Sequence, residues 1–295
     1  MFRIAYVDGV YRPHGEAAVH IEDRGYQFAD GVYEVIAVRS GKLVDEALHL
    51  VRLRRSLSEL RIEGALADAP LKFVLREVIR RNDVVNGIVY LQITRGIAPR
   101  DHGFPKAARP VLVVTARRSR AASPKLIEEG ISVVTIPDIR WLRCDIKTIS
   151  LVANVLGKQQ AREAGAYEAW MVDAEGHITE GTSTNAWIVT ADNLILTHSA
   201  DHAILGGVTR QALIAVIRKH GYNFAERPFT VAEAKGAREA FLTSTTADLL
   251  PVVAIDGQPV ANGAPGLLTQ KLRAEYLAHV ASFETPDAAR SSSSS

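Results

Sequence analysis

The stretch PDIRWLRCDIKTISLVANVLGKQQA, residues 137 to 161, holds two lysines in different settings. From Ile149 onward the apolar residues Val152, Val155 and Leu156 recur at helical intervals, and the pattern stops at Gly165. That spacing predicts an amphipathic helix closed by a glycine. Lys158, beside Gln159, Gln160 and Arg162, falls on its polar side and is expected to be a solvated charge. Lys147 precedes the helix, after Cys144, Asp145 and Ile146, with Thr148 or Ser150 as candidate N-cap. A lysine delivered there can be partly buried. Burial disfavours an ammonium, and an unprotonated amine is what a Schiff base requires. A lysine without chemistry also fits the place, so the rest of the chain has to decide.

Toward the N-terminus, strand-like runs alternate with turns. FRIAYVDGVY (2–11) carries a D-G turn, and GVYEVIAVRSGKLV (31–44) reads as strands on either side of Ser40-Gly41. Leu50, Leu53, Leu57 and Leu60 then recur at helical spacing, which places His49 and Arg52 one turn apart on a helix. After a second helix over PLKFVLREVIRRN (70–82), GIVYLQITRG (87–96) and RPVLVVTARR (109–118) read as buried strands joined by the loop IAPRDHGFPKAA (97–108). The polar segment RRSRAASPK (117–125) marks a boundary. The division expected is a small N-terminal domain over 1–118, a larger domain over 119–284, and a disordered serine-rich tail over 285–295. Helices and strands mix without strict βαβ alternation, so the fold class expected is α+β with mixed sheets or small barrels.

Composition narrows the function. With 47% hydrophobic and 23% charged residues among 295, the chain is ordinary globular protein. One cysteine, Cys144, excludes an internal disulfide and a multi-cysteine metal site, and fits a reducing compartment. MFRIAYVDGVYRP lacks the pattern of a secretory leader, and no run reaches the ~18 apolar residues of a membrane span. A soluble, cytoplasmic protein is expected. The net charge of +2, with both signs interspersed, gives no electrostatic footprint for nucleic acid or membrane.

Several further segments can carry chemistry, and each also has a plainer reading. In GHITEGTSTNAW, Glu180 stands before Gly181, Thr182, Ser183, Thr184 and Asn185. This is either a polar turn or a carboxylate aimed at a pyridine-type nitrogen, which it would keep protonated. ILGGVTRQALIAVI places Gly206 and Gly207 before a helix start with Thr209 in its first turn, which is either a capped turn or a phosphate site of backbone N–H groups. The hydroxyl run Thr243 to Thr246 in LTSTTADLLP adds oxygens, and Arg52 is either a solvated helix arginine or a fixed charge for a phosphate. In PRDHGFP, Arg100 and His102 stand two apart, a spacing that lets both meet one carboxylate. Jointly these are the contacts an enzyme with pyridoxal 5′-phosphate (PLP) makes to its cofactor and to an amino acid.

From about residue 3 to 280 the chain resembles the fold-type IV PLP-dependent aminotransferases, and within them the D-amino-acid aminotransferases. The stretches that carry the likeness are EDRGYQFADGVYEVI, PRDHGFP, DIRWLRCDIKTISLVANVLGKQQA, ITEGTSTNAW, ILGGVTR and LTSTTADLLPV. The resemblance implies a smaller N-terminal α/β domain and a larger domain with a barrel-like mixed sheet. It makes Lys147 the Schiff-base residue and sets Glu180 against the pyridine nitrogen. It gives the phosphate to Arg52, the Val208 and Thr209 amides, Ser244 and Thr245, and places Arg140 near the phenolic oxygen. Tyr33, Arg100 and His102 become the substrate carboxylate trap, with the Arg100/His102 loop reaching a partner subunit, hence a homodimer. The activity implied is ping-pong transamination of D-amino acids with a 2-oxo acid such as 2-oxoglutarate or pyruvate. An L-branched-chain aminotransferase or an aminodeoxychorismate lyase of the same fold is the alternative, and a non-enzymatic binding protein is the reading from another class. One departure from the family pattern is Gly206, where relatives carry a longer residue.

Overall fold

In the computed structural model, residues 3–119 and 122–284 are described; the serine-rich tail expected over 285–295 lies outside them. The chain forms two compact units. One holds residues up to 119 together with Ile146–Ser150; the other holds residues 122–145 and Leu151–Ser282.

The first unit is built on strands β1 (Ile4–Val7), β2 (Val10–Pro13), β3 (Gly31–Arg39), β4 (Lys42–Leu43), β5 (Gly87–Thr94) and β6 (Val111–Arg118), with helices α1 (Arg24–Phe28), α2 (Glu46–Glu59) and α3 (Asp68–Arg81). The strands form an antiparallel sheet in the order β2-β1-β6-β5-β3-β4. Because strand side chains alternate between faces, Val32, Ile36, Leu91, Ile93, Leu112 and Val114 fall on one side, where Leu50, Leu53 and Leu57 of α2 and Leu71, Leu75 and Val78 of α3 bury them. Glu34 shares the inward row with Val32 and Ile36 and is fully buried. Tyr33 points to the other face, paired across the ladder with Gln92.

Ile146–Ser150 closes this unit from a distant part of the chain. Thr148 bridges to Val32, Tyr33 N donates to Lys147 O at 3.1 Å, and Ile149 N donates to Gly31 O at 3.1 Å. The expectation that Thr148 or Ser150 caps a helix is therefore corrected. These residues bond as a short extended stretch beside β3, and the helix that follows has Leu151 as N-cap with no side-chain bond.

The second unit contains α4 (Pro124–Glu128), β7 (Ile131–Pro137), α5 (Val152–Glu163), β8 (Glu168–Val172), β9 (Ile178–Gly181), β10 (Asn185–Val189), β11 (Ile195–Thr197), α6 (Val208–Lys219), β12 (Phe224–Glu226), α7 (Val231–Lys235), β13 (Glu239–Ser244), β14 (Asp248–Ile255), β15 (Gln258–Pro259) and α8 (Leu267–Ala281). Its mixed sheet runs β12-β11-β10-β13-β14-β7-β8-β9, with β15 added to β14; β7 lies parallel to both β8 and β14. Trp170, Ile188, Leu242, Leu250 and Phe229 fill its core. On α5 only Gly157 and Ala161 are buried, while Val152, Val155 and Leu156 are 72%, 63% and 50% exposed. The apolar stripe that signalled the helix thus faces away from this chain's core. Gly165 follows the helix at φ +71°, the left-handed turn expected of it. No helix among the described residues is long and apolar enough to cross a membrane.

Candidate active site

In the first unit, the ladder beside β3 holds Lys147 half-buried, with its backbone N donating to Ser56 Oγ at 3.2 Å. Its Nζ stands 4.2 Å from the centre of the Tyr33 ring, which stacks on Tyr90 at 5.7 Å. The amine is so placed on the open face of the sheet, against aromatic carbon.

On the inward face, Glu34 accepts from Arg52 Nε and Nη2 at 2.8 and 2.7 Å and pairs with His49 Nδ1 at 2.7 Å. Burial works to raise the Glu34 carboxyl, but the charge and hydrogen bonds of Arg52, with the bond from His49, overcome it and hold the group at about 2. His49 is held below its ordinary value by burial, against the upward pull of Glu34 and with help from the Arg52 and Lys147 charges. Arg52, read from the sequence as solvated or phosphate-bound, is thus anchored by a carboxylate that fixes the plane of its guanidinium. Sequence reading gave Glu34 no role. A charge in the inward row between Val32 and Ile36, with His49 and Arg52 one turn apart on the next helix, was the available signal.

The exposed Arg100 and His102 meet over one ring. The Arg100 guanidinium lies 4.6 Å from the Phe28 centroid and the His102 imidazole 5.4 Å from it. Neither has a carboxylate partner among the described residues, and no bond or ring contact there joins them to Tyr33 or Lys147.

In the second unit, Glu180 of β9 is buried and held by several donors. Oε1 accepts from Arg140 Nη1 at 2.5 Å and from Leu205 N at 3.1 Å, and Oε2 accepts from Asn185 Nδ2 at 3.0 Å. Arg140 also donates to Asp138 at 2.9 and 2.7 Å and to Ala203 O at 3.1 Å. Burial opposes the Arg140 charge, but Asp138 and Glu180 outweigh it and raise the group further. For Asp138, burial pushes up and the Arg140 bonds prevail, leaving it below its usual range. Arg140 so holds Glu180 directly. Asp138 and Asn185, which complete the arrangement, were given no role from the sequence.

Gly207 is the N-cap of α6 and makes no side-chain capping bond, so the first amides of the helix, from Val208 and Thr209, keep their donors for another acceptor. A Cβ on Gly207 would overlap Asn185 Oδ1, whereas one on Gly206 would meet nothing nearer than Gln211 Nε2 at 3.5 Å. The position therefore has room for a Cβ. The hydroxyl run splits between faces: Thr243 accepts from Trp187 Nε1 at 3.0 Å in the core, while Ser244 turns its Oγ to Ala247 N at 3.1 Å in the turn before β14.

Lys158 is corrected from a solvated charge. Its Nζ donates to Tyr167 O at 2.5 Å and stands 3.4 Å from Glu168, which is fully buried. Glu168 also accepts from Thr182 Oγ1 at 2.5 Å and from Ser183 Oγ at 3.1 Å. The lysine thus neutralises the carboxylate that ties down the loop after Glu180.

The family description Amino-transferase class IV matches residues 31–255. The chain is 43% identical to the D-alanine aminotransferase of Bacillus licheniformis over 267 residues, 90% of this chain and 93% of that one. It is 38% identical to the D-alanine aminotransferase of Staphylococcus haemolyticus, over 94% and 98%. Among solved structures, the branched-chain amino acid aminotransferase of Escherichia coli shares the fold at a TM-score of 0.86 and 22% identity, over 97% of each chain. The T.th. branched-chain amino acid aminotransferase complexed with N-(5'-phosphopyridoxyl)-L-glutamate superposes at a TM-score of 0.87 with 25% identity, over 97% of this chain and 96% of that one.

Proposed function

The chain belongs to the class IV aminotransferase family, and from that premise we propose that it transfers the amino group of D-amino acids, D-alanine among them, to a 2-oxo acid such as 2-oxoglutarate or pyruvate. The observation that carries the reading is the meeting of Arg100 and His102 over Phe28, two donors without carboxylate partners of their own among the described residues. The identity with D-alanine aminotransferases over nine-tenths of the chain supports the same substrate class.

The side chains present fit PLP as cofactor. Glu180, buried and oriented by Arg140, Asn185 and Leu205 N, is a carboxylate of the kind that keeps a pyridine nitrogen protonated. The Val208 and Thr209 amides, Ser244 and Thr245, and the Glu34-anchored Arg52 are the donors a phosphate needs. PLP supplies, when bound, an aldehyde that captures the amine and a ring that takes up negative charge from Cα.

The chain's own residues do the rest. Lys147 would hold the cofactor, and its amine would carry the proton to and from the substrate Cα. Arg140 holds Glu180 in place through its Nη1, and in this reading it also stands beside the phenolic oxygen of the cofactor. Tyr33, Arg100 and His102 take the α-carboxylate and orient Cα toward Lys147, so that the position of the clamp sets which enantiomer presents its proton. The two half-reactions use the same residues in turn.

A homodimer belongs to this reading. It is supported by the lack of any hydrogen bond, ion pair or ring contact from Arg100 or His102 to Tyr33 or Lys147 among the described residues, and by exposed apolar side chains on each unit, Ile21 and Phe104 on one, Trp141, Leu142 and Val152 on the other. A cytoplasmic location is part of it, supported by the single free cysteine, Cys144. The test is keto-acid release from D-alanine by PLP-loaded protein with 2-oxoglutarate present. Pyruvate formed by the wild type and not by Lys147→Ala is expected; equal activity in both would reject the assignment.

A further inference from the structure

Phe28 lies at the end of α1, in a stretch to which the reaction has so far assigned nothing but Tyr33. Three cationic or potentially cationic groups surround its ring. The Arg24 guanidinium is 4.8 Å from the centroid, the Arg100 guanidinium 4.6 Å, and the His102 imidazole 5.4 Å at an interplanar angle of 47°. Arg24 is buried, and its charge is answered by Asp30, which accepts from Arg24 Nε at 2.8 Å and from Arg95 Nε and Nη2 at 2.7 and 2.9 Å. Arg24 also reaches the backbone of the loop, donating from Nη1 to Asp101 O at 2.6 Å and from Nη2 to His102 O at 3.5 Å. At the far end of the loop, Arg95 lies 3.7 Å and Arg61 4.8 Å from the Phe104 ring centre.

The loop is therefore fastened through its carbonyls by Arg24 and through Phe104, while its two donor heads share one aromatic surface. An exposed arginine and histidine on an unsupported loop would lose rotamer and backbone freedom on meeting a carboxylate. A ring that attracts cations to its face removes part of that cost beforehand. We propose that Phe28, together with Arg24, is the positioning platform of the carboxylate clamp, its ring setting the spacing at which Arg100 and His102 receive the substrate. The proposal rests on the reading of Arg100 and His102 as that clamp.

The test is kinetic, on PLP-loaded enzyme, with melting temperature and PLP dissociation constant recorded for each variant. Phe28→Leu removes the ring at similar volume and is expected to raise KM for D-alanine about tenfold, with little change in PLP affinity or melting temperature. Phe28→Tyr, which keeps the ring, is expected to restore KM. Because the platform acts through Arg100, Phe28→Leu in an Arg100→Ala background is expected to add about twofold or less. Should Phe28→Leu fail to fold, Phe28→Met carries the same cycle. Equal KM losses in both backgrounds, or a lowered melting temperature at unchanged KM, would reduce Phe28 to a packing residue and overturn the proposal. A wild type inert toward D-alanine would instead reject the functional reading itself.

Discussion

The Lys147 amine lies over the Tyr33 ring, on the face of the small sheet opposite Glu34. On the inward face Glu34 and His49 are both held below their ordinary values, and the consequences for stability have the same sign. As pH falls, the unfolded chain takes up a proton at each group more readily than the folded one, so folding stability is lost. The loss begins below the ordinary histidine value of 6.5 and continues from 4.5 toward about 2 as Glu34 is forced to protonate. The melting temperature should therefore decline with acidification over that range, and Glu34→Gln should flatten the lower part of the curve; an unchanged slope would remove Glu34 as its cause. Lys147→Ala should lower turnover about a thousandfold or more, since it deletes the group that moves the proton. Lys158→Ala should keep most turnover but leave the buried Glu168 without its cation, at a cost of about 1–3 kcal/mol, or several degrees in melting temperature. A thermal scan that shows no change would return Lys158 to the solvated role its helix position suggests. That role was misread because spacing reports the face of a helix and not what the neighbouring strand brings to it.

At the level of elements, the start of α6 offers a direct comparison between adjacent glycines. Gly207→Ala forces Asn185 off its bonds to Glu180 and to Leu205 O, so PLP affinity should fall about tenfold, roughly the worth of the one bond to the charged Glu180. Gly206→Ala has open space and should leave affinity near wild type; equal losses measured by PLP titration would contradict the geometry. The strands and helices around these sites were legible where a single period ran long enough, as in α2, α3, β5 and β6. The segment Ile146–Ser150 was not, because its structure comes from bonds to Gly31, Val32 and Tyr33, far away in sequence. Nor could the sequence tell that Val152, Val155 and Leu156 turn outward, since an apolar stripe looks the same whether its own chain or another covers it.

For the whole molecule, that outward stripe and the loop of Arg100 and His102 bear on the proposed homodimer. Light scattering should give twice the 32.1 kDa of the chain, and Leu142→Asp, at a residue 88% exposed, should shift the mass toward monomer. If the loop serves a partner's site, that variant should lose turnover with the mass; full activity as a monomer would place the clamp within its own chain. The likeness in fold to branched-chain aminotransferases makes the choice of enantiomer the central claim, because the fold alone does not decide it. The most direct measurement is the visible absorption of the PLP-loaded protein after addition of D-alanine and, separately, of L-leucine, with no keto acid present. Loss of the visible band with D-alanine alone is the expected result. Loss with L-leucine and not with D-alanine would contradict the roles given to Arg100 and His102.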